Sequence, residues 1–228
     1  SLAELRQRPD ARDTIIGWEI GHDGTDPRVI AVTIAQSHNG VEKIGVCKKT
    51  NSVLALDFFR STAMTQRLLN KRVLITQADD YMGPATADLF TAEGAVVTTD
   101  TSDLRAPGRC RELVQGAGNI DVLIANLASE NFSGIATTEL SDDDWHCAFD
   151  IMVHPLHRLC RAVLPQMLER GAGKIVVYGS AAALRGMRTL AAYSAARAAQ
   201  VGYVQALGVE VAPSNVQVNL IAQNYVEN

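Results

Sequence analysis

The feature that most constrains this sequence is an alternation, from Arg72 onward, of short β-branched runs with longer amphipathic segments. Such runs are typical of buried strands, and helical spacing between most of them is typical of βαβ units. The alternation predicts an α/β fold with a doubly wound parallel sheet between two layers of helices. The predicted strands are VLIT (73–76), VVTT (96–99), VLIAN (122–126), IVVY (175–178) and VQVNLI (216–221).

The segment from Ser141 to Gly171 shows where a long helix should begin and end. Ser141 and the acidic residues after it suit an N-cap and first turn, whereas Arg170 and Gly171 suit a last turn and C-cap. Pro155 lies inside this segment, where proline cannot donate the backbone hydrogen bond of a helix. We therefore predict that Pro155 kinks or divides the helix.

The two ends of the chain depart from this pattern. Residues 1–63 carry no chemical motif, and we treat them as an atypical N-terminal extension before a domain at 64–228. VIAVTIAQ and KIGVCK could form a hairpin through Asn39 and Gly40. Either the extension is a small accessory domain, or Met64 is the true start. The last predicted strand runs into AQNYVEN, so we expect an incomplete, truncated C-terminal end of the sheet.

Composition excludes several function classes. A formal net charge of −4 and a pI near 5.7 offer no general attraction to nucleic acid or anionic lipid. No apolar run approaches the roughly 18 residues of a membrane span, and SLAELRQRPDARD lacks the apolar centre of a secretory signal. We expect a cytoplasmic protein. The cysteines are widely spaced, which predicts reduced thiols and no metal site: Cys47, Cys110, Cys147 and Cys160.

Polar side chains follow the strands at the sheet edge where ligands bind in open parallel sheets. Ser180 comes soon after IVVY, and Tyr193 and Arg197 are four residues apart in a predicted helix, so they share one face. A guanidinium beside a phenol favours the ionised phenolate, which makes Tyr193 a candidate general base. Spacing alone is also compatible with an ordinary helix surface.

Ser180, the 13-residue step to Tyr193 and the four-residue step to Arg197 resemble the short-chain dehydrogenase/reductase superfamily. With arginine in the last position, they are similar to its cofactor-free offshoot, the B-type halohydrin dehalogenases. The likeness runs from about Arg67 to Asn228. It is closest in KRVLITQADDYMG, HPLHRLCRAVLPQ, GKIVVYGSAAA and NLIAQNY. The resemblance implies a Rossmann-like three-layer αβα fold and a carbon–halide lyase.

The loop after the first strand of the domain bears separately on whether the chain binds a nucleotide. Nucleotide-binding members carry Thr-Gly-x-x-x-Gly-x-Gly there, whose glycines let backbone amides approach a pyrophosphate. The corresponding TQADDYMG has Gln77 and Tyr81 in place of two glycines and keeps only Gly83. We expect a filled nucleotide site and no cofactor. By resemblance, Tyr81 lines a halide pocket.

Other positions bear on the nucleotide question. The step of about 20 residues from VVTTD to VLIAN is too short for two β/α units, so the adenine side of the sheet should be reduced. Met152 stands where the dehydrogenases carry a proton-relay asparagine. Asp100 favours the opposite interpretation, because an acidic residue at the end of the second strand can hold a ribose.

Three further positions receive no catalytic assignment. His154 and His157 lack carboxylate or cysteine partners at metal-ligand spacing, and we expect them on a helix at a subunit interface. Asn126 matches a mainly structural position of the superfamily. Some dehalogenases place an aspartate directly after it, as a partner for the arginine, but this chain has Leu127.

The resemblance implies dehalogenation of a vicinal haloalcohol to an epoxide, and ring opening by small anions in reverse. Ser180 would hold the substrate oxygen, Tyr193 would take its proton, and Arg197 would favour the phenolate. The alternatives are an NAD(P)-dependent short-chain dehydrogenase/reductase and a non-catalytic member kept for binding. We expect a homo-oligomer, a tetramer or a dimer. The implied halide and substrate site comprises Tyr81, Ala182, Leu190, Gln223, Asn224, Tyr225 and Val226.

Overall fold

The computed structural model describes residues 32–34, 66–127 and 134–224, and within them a single six-stranded sheet. The five strands of the domain are mutually parallel, and β1 pairs antiparallel at one edge. The order across the sheet is β1-β6-β5-β4-β2-β3. The strands are β1 Val32–Ile34, β2 Arg72–Ile75, β3 Val96–Thr99, β4 Val122–Asn126, β5 Gly173–Tyr178 and β6 Val216–Ala222.

Helices cover both faces of the sheet, which confirms the predicted three-layer α/β fold. Phe90 of α1 packs on one face, against Val73 and Ile75 of β2. On the opposite face, α2, α4 and α5 build the larger apolar core against β4, β5 and β6. The helices are α1 Gly83–Ala92, α2 Arg109–Ala117, α3 Asp142–Met152, α4 His154–Arg170 and α5 Ala191–Val211. Short 3₁₀ turns lie at Ala181–Ala183 and Ala212–Ser214.

The order of the parallel strands reverses between β2 and β4. In doubly wound sheets, ligands bind at such a switch point, outside the carboxyl ends of the strands. Residues 100–121, which are all described, contain α2 but no strand, so β3 is the outer strand on that side among the described residues. The prediction of a reduced sheet on this side is confirmed.

The helix predicted from Ser141 to Gly171 forms and is divided. The Ser141 hydroxyl accepts a hydrogen bond from the amide of Asp144 at 3.1 Å, as an N-cap does. Gly171 ends α4 in the left-handed conformation, with φ of 62°. Between these caps, α3 and α4 meet at Val153, two residues before Pro155.

Only one short part of the N-terminal extension is described. Val32, Thr33 and Ile34 pair with Ala222, Ile221 and Leu220 of β6. The predicted partner strand KIGVCK and the Asn39–Gly40 turn lie outside the described residues. The hairpin and the domain boundary at 63/64 remain predictions.

Candidate active site

The candidate site lies at the carboxyl ends of β2, β4, β5 and β6. The chain after β5 is tied to the chain after β6, because the Ala181 amide donates to the Gln223 carbonyl at 2.5 Å. At the end of β4, the Asn126 side-chain amide donates to the carbonyls of Gln77 and Asp80 at 2.9 and 2.8 Å. Asn126 therefore holds the first loop in shape, which agrees with the structural role that the sequence predicts.

The first loop places side chains where a nucleotide site has glycines. Gln77 and Tyr81 have φ of 44° and 54°, in the left-handed region that favours glycine. Gly83 alone remains glycine, and a Cβ there would lie 2.6 Å from backbone atoms of Ala78. Gly83 is thus required for the packing of α1, whereas Gln77 and Tyr81 do not fit close contact between backbone and a pyrophosphate.

Tyr81 reaches across the site to the end of β6. Its hydroxyl donates to Oε1 of Gln223 at 2.6 Å, and the Gln223 amide nitrogen contacts the sulfur of Met82. Burial, followed by the proximity of Tyr193, raises the pKa of the Tyr81 phenol above its ordinary value, and Arg197 offsets part of this effect. Tyr81 is therefore a neutral hydrogen-bond donor at neutral pH.

Of the remaining residues of the predicted halide and substrate site, the structure describes three. Asn224 follows Gln223 and accepts a hydrogen bond from Arg185. Ala182 is buried in the 3₁₀ turn, and Leu190 precedes α5 as its N-cap residue. Tyr225 and Val226 lie outside the described residues, so their halide role stays a prediction.

Ser180 follows β5 in extended backbone, with φ of −148°. Its hydroxyl accepts from the Ala182 amide at 3.2 Å and thereby caps the 3₁₀ turn, which packs against α5. A serine hydroxyl that accepts one hydrogen bond can still donate its proton to a substrate oxygen.

Tyr193 and Arg197 share one face of α5, as their spacing predicts. The Arg197 guanidinium carbon lies 5.1 Å from the centroid of the Tyr193 ring, a cation–π arrangement. Arg197 is only 3% exposed, and Ala192 and Ala196 of the same helix are buried in an apolar cluster with residues of α3. A buried guanidinium therefore faces the candidate base.

Neutral acceptors hold Arg197. Its Nη2 donates to the Leu127 carbonyl, and its Nη1 donates to the Tyr178 carbonyl and to Oε1 of Gln200, each at 3.0 Å. No carboxylate in the described ranges pairs with it. Leu127 thus serves through its backbone in a site where some dehalogenases use an aspartate. An unpaired buried cation favours an anion beside it.

The Asp100 carboxylate has hydrogen-bond and ion-pair partners close to it in the sequence. The carboxylate is 6% exposed, accepts from the Ser102 hydroxyl at 2.8 and 2.9 Å, and pairs with Arg109 at 3.1 Å. These contacts account for an acidic side chain at the end of β3 without a ribose.

The two histidines lie apart from this site. His154 faces Asp150 at 3.6 Å one helical turn away, and His157 makes an edge-on ring contact with Tyr203. Within the described parts of the chain, no cluster of histidine, cysteine and carboxylate could hold a metal ion. Their place at a subunit interface remains a prediction.

Sequence reasoning missed one member of the site, Gln200. This residue is fully buried and links Arg197 to the Met152 carbonyl. The sequence signal for Gln200 is its place one helical turn after Arg197, where a polar side chain can contact the arginine. Its second partner, 48 residues away, could not be predicted from spacing.

Comparison with known proteins decides the family. The family model for short chain dehydrogenases matches residues 62–228, most of the chain. The chain belongs to the short-chain dehydrogenase family. No helix in the described residues is long and apolar enough to cross a membrane.

Similar members of the short-chain dehydrogenase family include reductases. The chain is 26% identical over 215 residues to human dehydrogenase/reductase SDR family member 4, covering 81% of this chain and 76% of that protein. It is 29% identical over 180 residues to the 3-oxoacyl-acyl-carrier-protein reductase of Salmonella typhimurium, covering 69% and 74%. A solved structure described as a dehalogenation enzyme is 30% identical, with a TM-score of 0.65 over 71% of this chain and 75% of that one.

Proposed function

We propose that this family member is a cofactor-independent halohydrin dehalogenase, a carbon–halide lyase that converts vicinal haloalcohols to epoxides. The observation that carries the proposal is the hydrogen bond between Tyr81 and Gln223. Tyr81 belongs to the loop after β2, in which Gln77 and Tyr81 replace two of the three glycines that nucleotide-binding members use to contact phosphate. The 30% identical dehalogenation enzyme supports the same choice.

The proposed reaction closes a three-membered ring within one substrate molecule. Ser180 donates a hydrogen bond to the substrate oxygen, and the Tyr193 phenolate takes the hydroxyl proton. The oxygen then forms a bond to the neighbouring carbon as the carbon–halogen bond breaks, and halide leaves with the electron pair. Because the attack is intramolecular, positioning supplies much of the rate. The proton on Tyr193 then passes to solvent, and Arg197 stabilises the phenolate that begins the next cycle.

The halide would leave toward Tyr81. A neutral phenol is a hydrogen-bond donor for an anion, and Tyr81, with its raised pKa, keeps its proton. This proton would turn from Oε1 of Gln223 to the halide as the halide leaves. We assign the halide site to Tyr81, Gln223 and Asn224, with the backbone of Tyr225 and Val226, and the pocket walls to Ala182 and Leu190. In reverse, azide, cyanide or nitrite would enter this site and open an epoxide.

The test is halide release from 1,3-dichloro-2-propanol by the full chain without added nucleotide. We expect chloride, protons and epichlorohydrin in equal amounts, and we expect Tyr193→Phe to lower the rate at least about 100-fold. Lack of chloride release by a folded protein that binds NADPH saturably would overturn the proposal.

The second candidate function is an NAD(P)-dependent oxidoreductase, which the reductases among the relatives favour. It predicts saturable NADPH binding and nucleotide-dependent carbonyl reduction. The same preparation distinguishes the two, because the dehalogenase needs no nucleotide. We propose a cytoplasmic homo-oligomer, a tetramer or a dimer, in either case.

A further inference from the structure

A buried side-chain amide connects the candidate arginine to the break between α3 and α4. Gln200 is 0% exposed and lies one helical turn after Arg197 on α5. Its Oε1 accepts from Nη1 of Arg197 at 3.0 Å, and its Nε2 donates to the Met152 carbonyl at 2.7 Å.

The two partners fix the orientation of this amide. Met152 ends α3, and the carbonyls of a last helical turn lack partners within the helix. A carbonyl needs a donor and a guanidinium needs an acceptor, so a flipped amide would place like groups against each other at both ends. Gln200 therefore presents its oxygen, and only its oxygen, to Arg197.

The acceptors of Arg197 among the described residues are uncharged. Besides Gln200, the guanidinium bonds to the backbone carbonyls of Leu127 and Tyr178. A carboxylate at position 200 would also accept from Arg197, but it would lose the donor to the Met152 carbonyl and would neutralise the cation. An amide leaves the full charge directed at Tyr193.

We propose that Gln200 is a positioning residue that holds Arg197 in place through a neutral acceptor, so that the full positive charge acts on Tyr193. This inference extends the proposed function, and one of its two tests, the rate of chloride release, rests on that function. A second readout, the ionisation of Tyr193, does not depend on any activity.

The ionisable groups around Tyr193 make this readout interpretable. Arg197 faces it from α5, Tyr81 faces it from the loop after β2, and Cys147 of α3 belongs to the same apolar cluster. None of these is a carboxylate. Glutamate at position 200 would be the first carboxylate beside the guanidinium among the described residues.

The experiment compares Gln200→Glu and Gln200→Met with the parent chain. Gln205→Glu is the matched control, since Gln205 is exposed on the same helix. Tyrosinate absorbance is titrated in each variant with and without Tyr193→Phe, so that the difference reports Tyr193 alone. Circular dichroism confirms folding, and chloride release is measured across the same pH range.

We expect the Tyr193-dependent part of the tyrosinate titration to lie at higher pH in Gln200→Glu than in the parent, with the lower limb of the pH–rate profile moving in the same direction. Gln200→Met keeps the charge but removes one of the three acceptors of the guanidinium, so we expect chloride release to fall about tenfold. Gln205→Glu should match the parent in both measurements.

Unchanged Tyr193 ionisation in a folded Gln200→Glu variant would overturn the inference. If that variant does not fold, parent-like ionisation and chloride release in Gln200→Met would overturn it. Absence of chloride release in the parent itself refutes the proposed function, and the titration still decides the role of Gln200.

Discussion

At the residue scale, Arg197 differs from the lysine that its position carries in the dehydrogenases. Its guanidinium reaches three acceptors in different directions and lies against the Tyr193 ring. An ammonium on a flexible stem cannot reproduce this planar set of contacts.

We therefore predict that Arg197→Lys abolishes dehalogenation, with kcat lowered at least about 100-fold. Chloride release at saturating haloalcohol measures the effect, and a thermal melt controls for folding. Full activity in this variant would remove the proposed reason for the arginine.

Local spacing predicted the pairing of Tyr193 with Arg197, because a helix brings residues four apart together wherever it lies. It could not predict that Tyr81 bonds to Gln223, 142 residues later, although the resemblance assigned both to one site. Contacts at such separations depend on strand order, and strand order is a property of the whole sheet.

At the element scale, the junction between β2 and α1 depends on one glycine. A Cβ at Gly83 would lie 2.6 Å from backbone atoms of Ala78, which cannot move like the end of a side chain. Gly116, near the end of α2, has open space around the same position.

We predict opposite effects of alanine at these two glycines. Gly83→Ala should lower the free energy of unfolding by about 2 kcal/mol or more through overpacking. Gly116→Ala should raise it by about 0.5–1 kcal/mol, because alanine is the better helix former. Urea unfolding measures both, and equal effects would contradict the packing argument.

Helix boundaries could be predicted from the sequence where a capping or helix-breaking residue marks them. Ser141, Pro155 and Gly171 each act within a turn of their own position, and the structure confirms all three. The antiparallel pairing of β1 with β6 had no such signal, because the strands lie about 190 residues apart and nothing in VIAVTIAQ specifies its partner.

At the scale of the whole molecule, buried thiols and phenols link stability to alkaline pH. Burial raises the pKa of Cys160 to about 12, and it also raises the pKa values of Cys110, Tyr178 and Tyr81. The folded protein thus binds these protons more tightly than the unfolded chain does. Their contribution is complete below the ordinary values near 9 and 10, and it decreases as pH rises through the folded values.

We predict that the free energy of unfolding, measured by urea titration, is constant near neutral pH and falls between about pH 9 and 11. The slope should be at most about 1.4 kcal/mol per pH unit for each proton. Cys160→Ala should be less stable at neutral pH but lose stability less steeply above pH 9. A constant free energy of unfolding up to pH 11 would contradict this linkage.

The backbone of the first loop has a consequence for the history of this chain. Left-handed φ values cost about 1 kcal/mol each for residues with a Cβ, and glycine would remove that cost. Mutation to glycine at Gln77 or Tyr81 would therefore relax the loop while deleting a side chain from the site. A lineage under selection for stability alone would drift back toward the nucleotide motif. The conformation at Gln77 and Tyr81 thus carries a stability cost that the glycines of the nucleotide motif would not.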